Sequence, residues 1–441
     1  MREPQPDRPD TNVGPDSPDG SPEEMHRREQ EWKARKDVSA LWPGLRMSLL
    51  QPAADDIGRA VACVLRGERG TLGAHADHDR RALGVAALLS GTGPLLGYWL
   101  ERGRLDVPGD VATLLAEHLW HGRRRAERIA SGMQPVLRGF AAAGVSPVAL
   151  KGFHTARAYF PEPGTRPYGD VDLLVRPEEI PRAIEVLSDL RFAPDDDLWI
   201  PYKRNWSPPD DPDSRNASFE RWDARTRWKL ELHSGVQFNS LYESGLALPL
   251  DWGMTGEVGD NDAPLRALAQ PLLLAALAIH ASGELYSMRL LRLIEQVFVI
   301  RSDLEAGRLE WLALEELLVR TRTVRLVYPS LALVEQLVPG TVDERLLARA
   351  RKASTRRVLE IMAGLTPSAP IFASHLSIKE RLMWSDSPMR TARRLLALVM
   401  PAPNHSWSMQ LRIYHQRFTR LLAGKVTLGA PPALRDDDDE Q

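Results

Sequence analysis

An apolar run that carries two aspartates, Asp-Val-Asp-Leu-Leu-Val at 170–175, constrains the fold of this chain more than any other stretch. Its apolar positions alternate with Asp170 and Asp172, and such alternation is the pattern of a β-strand with one buried face. Both carboxylates therefore leave the same face. Because adjacent carboxylates repel each other and lose hydration, the pattern predicts a cation between them. Mg²⁺, or Mn²⁺ in its place, fits because hard cations prefer carboxylate and phosphate oxygens.

The stretch 228–233, Trp-Lys-Leu-Glu-Leu-His, repeats this alternation. Glu231 and His233 share its polar face, so Glu231 is the candidate third carboxylate, on a neighbouring strand. Three carboxylates can hold two metal ions about 4 Å apart, the arrangement used for in-line phosphoryl displacement. Glu220, in a predicted hairpin partner at 216–222, is the rival for this role. His233 either contacts substrate and acceptor, or hydrogen-bonds the carboxylates from behind.

A strand-to-helix turn precedes the aspartates. Residues 145–151 predict a short strand that ends at Gly152, and residues 153–160 predict a helix. A glycine in such a turn lets the backbone approach a phosphate, and Lys151 adds a positive charge. Arg166 follows in the turn just ahead of the aspartate strand. It is either a surface arginine or a second phosphate contact.

In combination these motifs resemble the bacterial uncharacterised nucleotidyltransferase family, within the DNA polymerase β-like nucleotidyltransferase superfamily. The resemblance extends over roughly residues 80–340, and its motifs lie between residues 150 and 233. It rests on Leu150-Lys151-Gly152, Tyr159, Arg166-Pro167, Asp170-Val171-Asp172-Leu173-Leu174-Val175 and Leu230-Glu231-Leu232-His233. The sequence departs from the superfamily pattern at one position, because Phe153 follows Gly152 where a small hydroxyl residue is usual.

The resemblance implies an α+β fold in which a small mixed sheet is flanked by N-terminal and C-terminal helical domains. It implies transfer of a nucleoside monophosphate from a nucleoside triphosphate to an acceptor hydroxyl, with release of pyrophosphate. The residues that would hold Mg²⁺ or Mn²⁺ and carry catalysis are Asp170, Asp172 and Glu231. Those that would contact substrate are Lys151, Gly152, Arg166 and His233. The acceptor stays open between a small molecule, a peptide or protein, and a tRNA.

Two other function classes remain at this point. A degenerate nucleotidyltransferase fold could serve as a binding module, which the missing hydroxyl after Gly152 favours and the three carboxylates disfavour. A glycosyltransferase could use Asp-x-Asp to bind a metal and a nucleotide sugar. That class predicts neither the Lys-Gly turn nor a third carboxylate beside the aspartate strand.

A chain of 441 residues is too long for one ordinary domain. Composition and helical periodicity divide it into a disordered arm at 1–35, an N-terminal helical region at 36–144, the nucleotidyltransferase core at 145–240, a helical domain at 241–345, a basic helical extension at 346–430 and an acidic tail at 431–441. Residues 389–425 contain no acidic residue. They predict basic helices that either pack on the domain or contact an anionic membrane, a partner protein or RNA.

The remaining signals are weaker. A net charge of −2 gives no indication of nucleic-acid binding, and the single cysteine, Cys63, excludes an internal disulfide and fits a cytoplasmic protein. The cluster of Arg123, Arg124, Arg125 and Arg128 predicts a solvated helix face, or a surface that reaches the triphosphate. His280, in an apolar helix, is either a hydrogen-bonded core residue or a contact for the base or the acceptor.

Overall fold

The fold was obtained as a computed structural model. It describes residues 38–73, 80–194, 203–209, 223–238, 246–248, 252–258, 264–285 and 288–368, together with residues 27, 28, 31, 384, 389 and 392. Several sequence predictions lie outside these residues. They concern most of the disordered arm, Glu220 with its strand, nearly all of the basic extension beyond residue 368, and the acidic tail.

Eleven short strands are found in the described part of the chain. They are β1 Gly70–Thr71, β2 Leu105–Asp106, β3 Val148–Ala149, β4 Asp170–Leu174, β5 Ala193–Pro194, β6 Lys203–Ser207, β7 Lys229–His233, β8 Val236–Phe238, β9 Leu246–Leu248, β10 Thr255–Glu257 and β11 Arg266–Leu268. Seven of them form one mixed sheet in the order β10-β11-β3-β4-β7-β6-β5. Strand β7 pairs parallel with β4 and antiparallel with β6, so both of its edges are occupied.

Helices precede and follow the sheet along the chain. They are α1 Met47–Leu65, α2 Arg80–Ser90, α3 Gly93–Glu101, α4 Gly109–Ala142, α5 Phe153–Ala158, α6 Ile180–Asp189, α7 Leu272–Gly283, α8 Leu290–Glu305, α9 Trp311–Arg320, α10 Val324–Leu337, α11 Glu344–Ala353 and α12 Arg356–Met362. Short 3-10 helices occupy Val38–Ala40, Pro163–Thr165, Pro177–Glu179 and Trp252–Met254. The predicted α+β class, a mixed sheet flanked by helices, is confirmed.

The central strands β4 and β7 alternate in the way their sequences predict. Their apolar positions, which include Val171, Leu173, Leu230 and Leu232, join one buried cluster with helices α4 and α6. Helix α4 supplies a stripe at three- and four-residue spacing to this cluster: Ile129, Met133, Val136, Leu137 and Phe140. This apolar packing fixes the register of the strands, because a shift by one residue would turn every side chain to the other face.

The helices before and after the sheet share a second, larger hydrophobic cluster, in which Leu50, Leu95, Leu277 and Leu331 are all buried. Helix α7 lies in this core and is apolar on all sides except for its single ionisable residue, His280. Among the described residues, no single helix is long and apolar enough to span a membrane. One pair, α2 with α3, has sufficient combined length and apolar character but bends by 110° at its break.

The described neighbours of the Glu231 strand are β4 on one edge and β6 on the other. The predicted hairpin partner at 216–222 lies outside the described residues. Strand β6 lies between α6 and the Glu231 strand along the chain and is not evident from the sequence. The sequence Lys-Arg-Asn-Trp-Ser of β6 carries one apolar residue, so its period-two pattern is too weak to be recognised.

Candidate active site

The parallel pairing of β4 and β7 brings two of the predicted carboxylates together. Asp172 and Glu231 are direct partners across the two strands and leave the same face of the sheet. One ligand atom from each of Asp172, Glu231 and His233 lies within 4.8 Å of the other two, and the group could hold a metal ion. We call these three residues the Asp–Glu–His cluster. The distance between its two carboxylates is short enough for them to share bound cations.

Asp170 lies at the start of β4, on the same face as Asp172 but paired with Lys229. It is outside the Asp–Glu–His cluster. Burial and the neighbouring charge of Asp172 raise the pKa of Asp170, although Lys151 opposes them. An added cation would therefore stabilise the ionised form of Asp170.

Asp172 is almost fully buried and holds its charge through two neighbours. Burial alone would raise its pKa, but Lys151 and His233 hold the pKa well below its ordinary value. The Lys151 Nζ atom lies 3.5 Å from Oδ2 of Asp172, and His233 Nε2 lies 3.0 Å from Oδ1. The ionised carboxylate is thus stabilised in a site from which water is largely excluded.

Glu231 is paired with a lysine from the neighbouring strand β6. Lys203 Nζ lies 2.6 Å from Glu231 Oε2, the length of a strong charge-assisted hydrogen bond. His233 Nε2 lies 3.5 Å from the same oxygen. Burial lowers the pKa of His233, but its contacts with Asp172 and Glu231 outweigh burial and raise the pKa above its usual value. Its Nδ1 atom is buried without a hydrogen-bond partner in the described part of the chain.

The Lys-Gly turn lies beside this cluster. Gly152 has φ +56° and ψ −84°, a conformation that residues with a Cβ rarely adopt, and it directly precedes α5. This backbone directs Lys151 to Asp172 on one side and to His280 on the other, where Lys151 Nζ lies 2.9 Å from His280 Nε2. Burial and the nearby charges of Lys151 and Arg292 hold the pKa of His280 well below its usual range. His280 is therefore a neutral acceptor for the lysine.

Arg166 is buried and its donors are directed into the helical side of the protein. Its Nε and Nη2 atoms donate to the two carboxylate oxygens of Glu295 at 2.9 and 2.8 Å. Thr155 also donates to Glu295, and its hydroxyl lies 3.3 Å from the carbonyl oxygen of Gly152. Nη1 of Arg166 would lie 3.5 Å from a Cβ placed on Gly152. Arg166 therefore lies against the Gly152 turn and connects this turn to α8 through Glu295.

The predicted arginine surface on α4 is corrected for Arg125, which is buried. Its guanidinium donates to the carbonyl oxygens of Tyr168 at 3.0 Å, Thr226 at 2.5 Å and Arg227 at 3.3 Å. Burial, together with the charge on Arg128, lowers the pKa of Arg125 to about 10. These carbonyls lie just before β4 and β7. Arg125 therefore anchors the backbone that leads into both carboxylate strands to helix α4.

Several residues of the site are not evident from the sequence. Lys203 and Asn205 come from the unrecognised strand β6, where Asn205 is the direct neighbour of Glu231 in the sheet. Asn205 is buried, and its Oδ1 atom has no hydrogen-bond partner among the described residues. Arg292 is contributed by α8, far from the motifs. The available signal for β6 was Lys203 and Asn205 at a spacing of two, which only becomes meaningful once the strand is known.

The donor set suits a hard divalent cation. Asp172 and Glu231 supply carboxylate oxygens on one face of the sheet, with Asp170 two residues along β4. Carboxylate oxygens favour Mg²⁺ or Mn²⁺. Oδ1 of Asn205, which has no hydrogen-bond partner among the described residues, adds a neutral oxygen ligand directly across the sheet from Glu231. The residues present therefore fit the metal ions that the sequence motifs predict.

The fold and the cluster define an α+β protein with an acidic centre that could hold a metal ion. A model of the family described as uncharacterised nucleotidyltransferases matches residues 82–339, which is more than half of the chain and includes every residue of the site. The chain belongs to this family. No curated protein and no solved structure matches it.

Proposed function

We propose that the protein is a metal-dependent nucleotidyltransferase, which moves a nucleoside monophosphate from a nucleoside triphosphate to an acceptor hydroxyl and releases pyrophosphate. The observation that carries this proposal is the register of β4 and β7, which pairs Asp172 with Glu231 on one face. Membership of the nucleotidyltransferase family supports it. The same register argues against an Asp-x-Asp glycosyltransferase, which has no use for a third carboxylate there.

In this proposal Asp170, Asp172 and Glu231 hold Mg²⁺ or Mn²⁺. A bound ion would neutralise charge on the triphosphate and lower the pKa of the acceptor hydroxyl. His233 helps to keep Asp172 ionised, and its Nε2 contacts orient both Asp172 and Glu231. The metal ligands are thus held before substrate arrives, which reduces the reorganisation that the reaction requires.

Lys151 and Gly152 contact the phosphates in this proposal, and Arg166 acts on them indirectly. The Gly152 turn allows close approach of the backbone, and Lys151 is already directed at the cluster. The Nε and Nη2 atoms of Arg166 both donate hydrogen bonds to Glu295. We therefore assign Arg166 a positioning role that fixes the Gly152 turn.

A catalytically degenerate binding module is the second candidate. Lys203 forms a 2.6 Å ion pair with Glu231, so one carboxylate is already neutralised by the protein itself. The absence of a hydroxyl residue after Gly152 points the same way. This candidate predicts that the protein binds a metal–triphosphate complex and never releases pyrophosphate.

The test is incubation of the purified protein with Mg²⁺, each of the four labelled nucleoside triphosphates and cell extract. Pyrophosphate release is measured, and mass spectrometry identifies the molecule that gains a nucleoside monophosphate. We expect Asp172→Asn and Glu231→Gln each to reduce transfer by about a hundredfold or more, because each removes charge from the reacting centre. Asp106→Asn, an exposed carboxylate paired with Arg69, is the matched control. Full activity in Asp172→Asn, or tight triphosphate binding without pyrophosphate release, would refute the proposal.

A further inference from the structure

A mostly buried arginine on α8 lies beside the site, and its guanidinium makes no hydrogen bond to any described residue. Arg292 has a side chain that is 22% exposed, and its closest acidic contact is Glu284, with Nη2 3.6 Å from Oε2. No other hydrogen bond or ion pair of this guanidinium is found among the described residues. A guanidinium carries five donors in a planar fork, and burying them without acceptors costs free energy. Among the described residues, this guanidinium therefore keeps donors that are available to a bound anion.

Arg292 is connected to Lys151 through two residues of the α7 end. His280 Nε2 lies 2.9 Å from Lys151 Nζ and 3.8 Å from Glu284 Oε1, and Glu284 in turn faces Arg292. The positive charge of Arg292 acts on Lys151, whose own charge is balanced by Asp172 and Asp170. Two cations thus converge on the helical side of the carboxylates, and they repel each other.

The ion pairs of the site fall into a tight and a loose class. Lys203 contacts Glu231 at 2.6 Å, within the range of charge-assisted hydrogen bonds. Lys151 lies 3.5 Å from Asp172, and Arg292 lies 3.6 Å from Glu284, both beyond that range. Lys151 and Arg292 are therefore the two cations whose carboxylate contacts are long, and Lys151 is oriented by His280 instead. They can change partner at a smaller cost than Lys203 can.

We propose that Lys151 and Arg292 form a polyphosphate-binding subsite on the helical side of the carboxylates. The geometry assigns it the β and γ phosphates of a nucleoside triphosphate, an assignment that rests on the proposed function. The planar guanidinium of Arg292 matches two phosphate oxygens, and Lys151 supplies a point charge between the phosphates and Asp172. His280 is a positioning residue, since its neutral imidazole accepts from Lys151 and directs the ammonium group.

Glu284 competes with the anion for Arg292 in this subsite. Its carboxylate is partly exposed and faces both His280 and Arg292. A bound polyphosphate would place its oxygens in the same region and repel this carboxylate. The subsite therefore makes two opposite predictions, because removing the arginine should weaken anion binding and removing the glutamate should strengthen it. A merely structural role for Arg292 would produce only the first.

The experiment measures binding of inorganic tripolyphosphate to the full chain by calorimetry, in EDTA and in Mg²⁺. We expect Arg292→Gln to weaken binding by about tenfold or more, and Glu284→Gln to strengthen it by about two- to fivefold at low salt. Arg292→Lys should fall between wild type and Arg292→Gln. Arg301→Gln is the matched control, because Arg301 lies on the same helix and donates to the carbonyl of Leu65 at 2.5 Å. Thermal unfolding of each variant verifies folding.

Three results would overturn the subsite: no tripolyphosphate binding by the wild-type chain, equal losses in Arg292→Gln and Arg301→Gln, or weaker binding in Glu284→Gln. Failure of the proposed function has a different signature. In that case the wild-type chain binds tripolyphosphate through Arg292, and no nucleoside triphosphate yields pyrophosphate. Conversely, an active transferase whose Arg292→Gln variant binds tripolyphosphate like wild type would retain the function and lose the subsite.

Discussion

Two buried charge clusters lie on either side of the Gly152 turn, and they differ in how completely their polar atoms are paired. In the first, Arg166 donates to both carboxylate oxygens of Glu295, and Thr155 adds a further hydrogen bond. The second is the Asp–Glu–His cluster, which leaves His233 Nδ1 and the neighbouring Asn205 Oδ1 without partners among the described residues. The first cluster is complete within the chain, whereas the second has capacity for a ligand.

The difference also appears in the balance of charge. Arg166 and Glu295 neutralise each other one to one, and burial of such a pair is tolerated because its hydrogen bonds are satisfied. The carboxylates of β4 and β7 depend instead on Lys151 from the Lys-Gly turn, on Lys203 from β6 and on a shared histidine. We infer that the first cluster stabilises the fold and that the second is organised for function. Changes in each cluster should therefore affect different measurements.

The largest expected effect is on stability and comes from Arg166→Met. This change leaves the Glu295 carboxylate buried without its partner, so we expect the free energy of unfolding to fall by about 3–5 kcal/mol. Urea denaturation measures it, with the exposed Arg320→Met as control. If Arg166→Met instead keeps its stability and loses triphosphate binding, Arg166 is the direct phosphate contact predicted from the sequence.

Gly152→Ala changes the turn that separates the two clusters. A Cβ at this position would meet no atom closer than 3.5 Å, so the cost comes from the backbone at φ +56° alone. We expect a loss of about 1–3 kcal/mol in the free energy of unfolding, together with weaker triphosphate binding. Gly67→Ala, at φ +87° and with no atom within 4 Å, is the control. Unchanged triphosphate binding in Gly152→Ala would separate this turn from the site.

Lys203→Met removes the cation that already neutralises Glu231. We expect the affinity for Mn²⁺ to increase by about tenfold, or about 1.4 kcal/mol, because the ion no longer competes with the ammonium group. Titration of Mn²⁺ followed by electron paramagnetic resonance measures the affinity, and the exposed Lys352→Met is the control. A decrease in Mn²⁺ affinity would mean that Lys203 supports the metal ligands rather than competing with the metal.

The smallest expected effects have opposite signs at Asp170 and Asp172. Folding lowers the pKa of Asp172, so its ionised form stabilises the protein above the unfolded pKa, and this contribution is lost as pH falls through the folded pKa. Folding raises the pKa of Asp170, so its ionisation destabilises the protein progressively as pH rises above the unfolded pKa, and fully once pH exceeds the folded pKa. At pH 7 in EDTA, Asp172→Asn should lower the free energy of unfolding and Asp170→Asn should raise it, each by roughly 1 kcal/mol. Denaturation midpoints that shift in the same direction would contradict this assignment.

The sequence predicts the part of the site that depends on alternation. Asp172 and Glu231 could be placed on one face because each lies in a strand with a clear apolar period, and the same period predicts the core between the sheet and α4. The α+β class is implied by the family resemblance, and the helical periodicity on both sides of those strands agrees with it. Lys151 and Gly152 could be placed because a glycine between a strand and a helix allows the backbone to approach a phosphate at the helix N-terminus.

The remainder depends on contacts between distant residues, which local pattern does not encode. Strand β6 has too little apolar character to be recognised, so Lys203 and Asn205 could not be assigned to the site. Arg166 has a donor geometry that suits a phosphate or a carboxylate equally well. The position of Glu295 on α8 decides between a phosphate and a carboxylate partner. Glu295 lies 129 positions after Arg166 in the sequence, so local pattern does not reveal the pair.

Arg125 has a consequence for how this protein reaches its native state. Its carbonyl acceptor at Thr226 lies 101 residues further along the chain, so the contact closes a very long loop. During synthesis helix α4 emerges well before Thr226 does, and the guanidinium of Arg125 must stay hydrated until then. We therefore expect the paired strands to dock late in folding, and a chain truncated before residue 226 to retain helices without a competent centre.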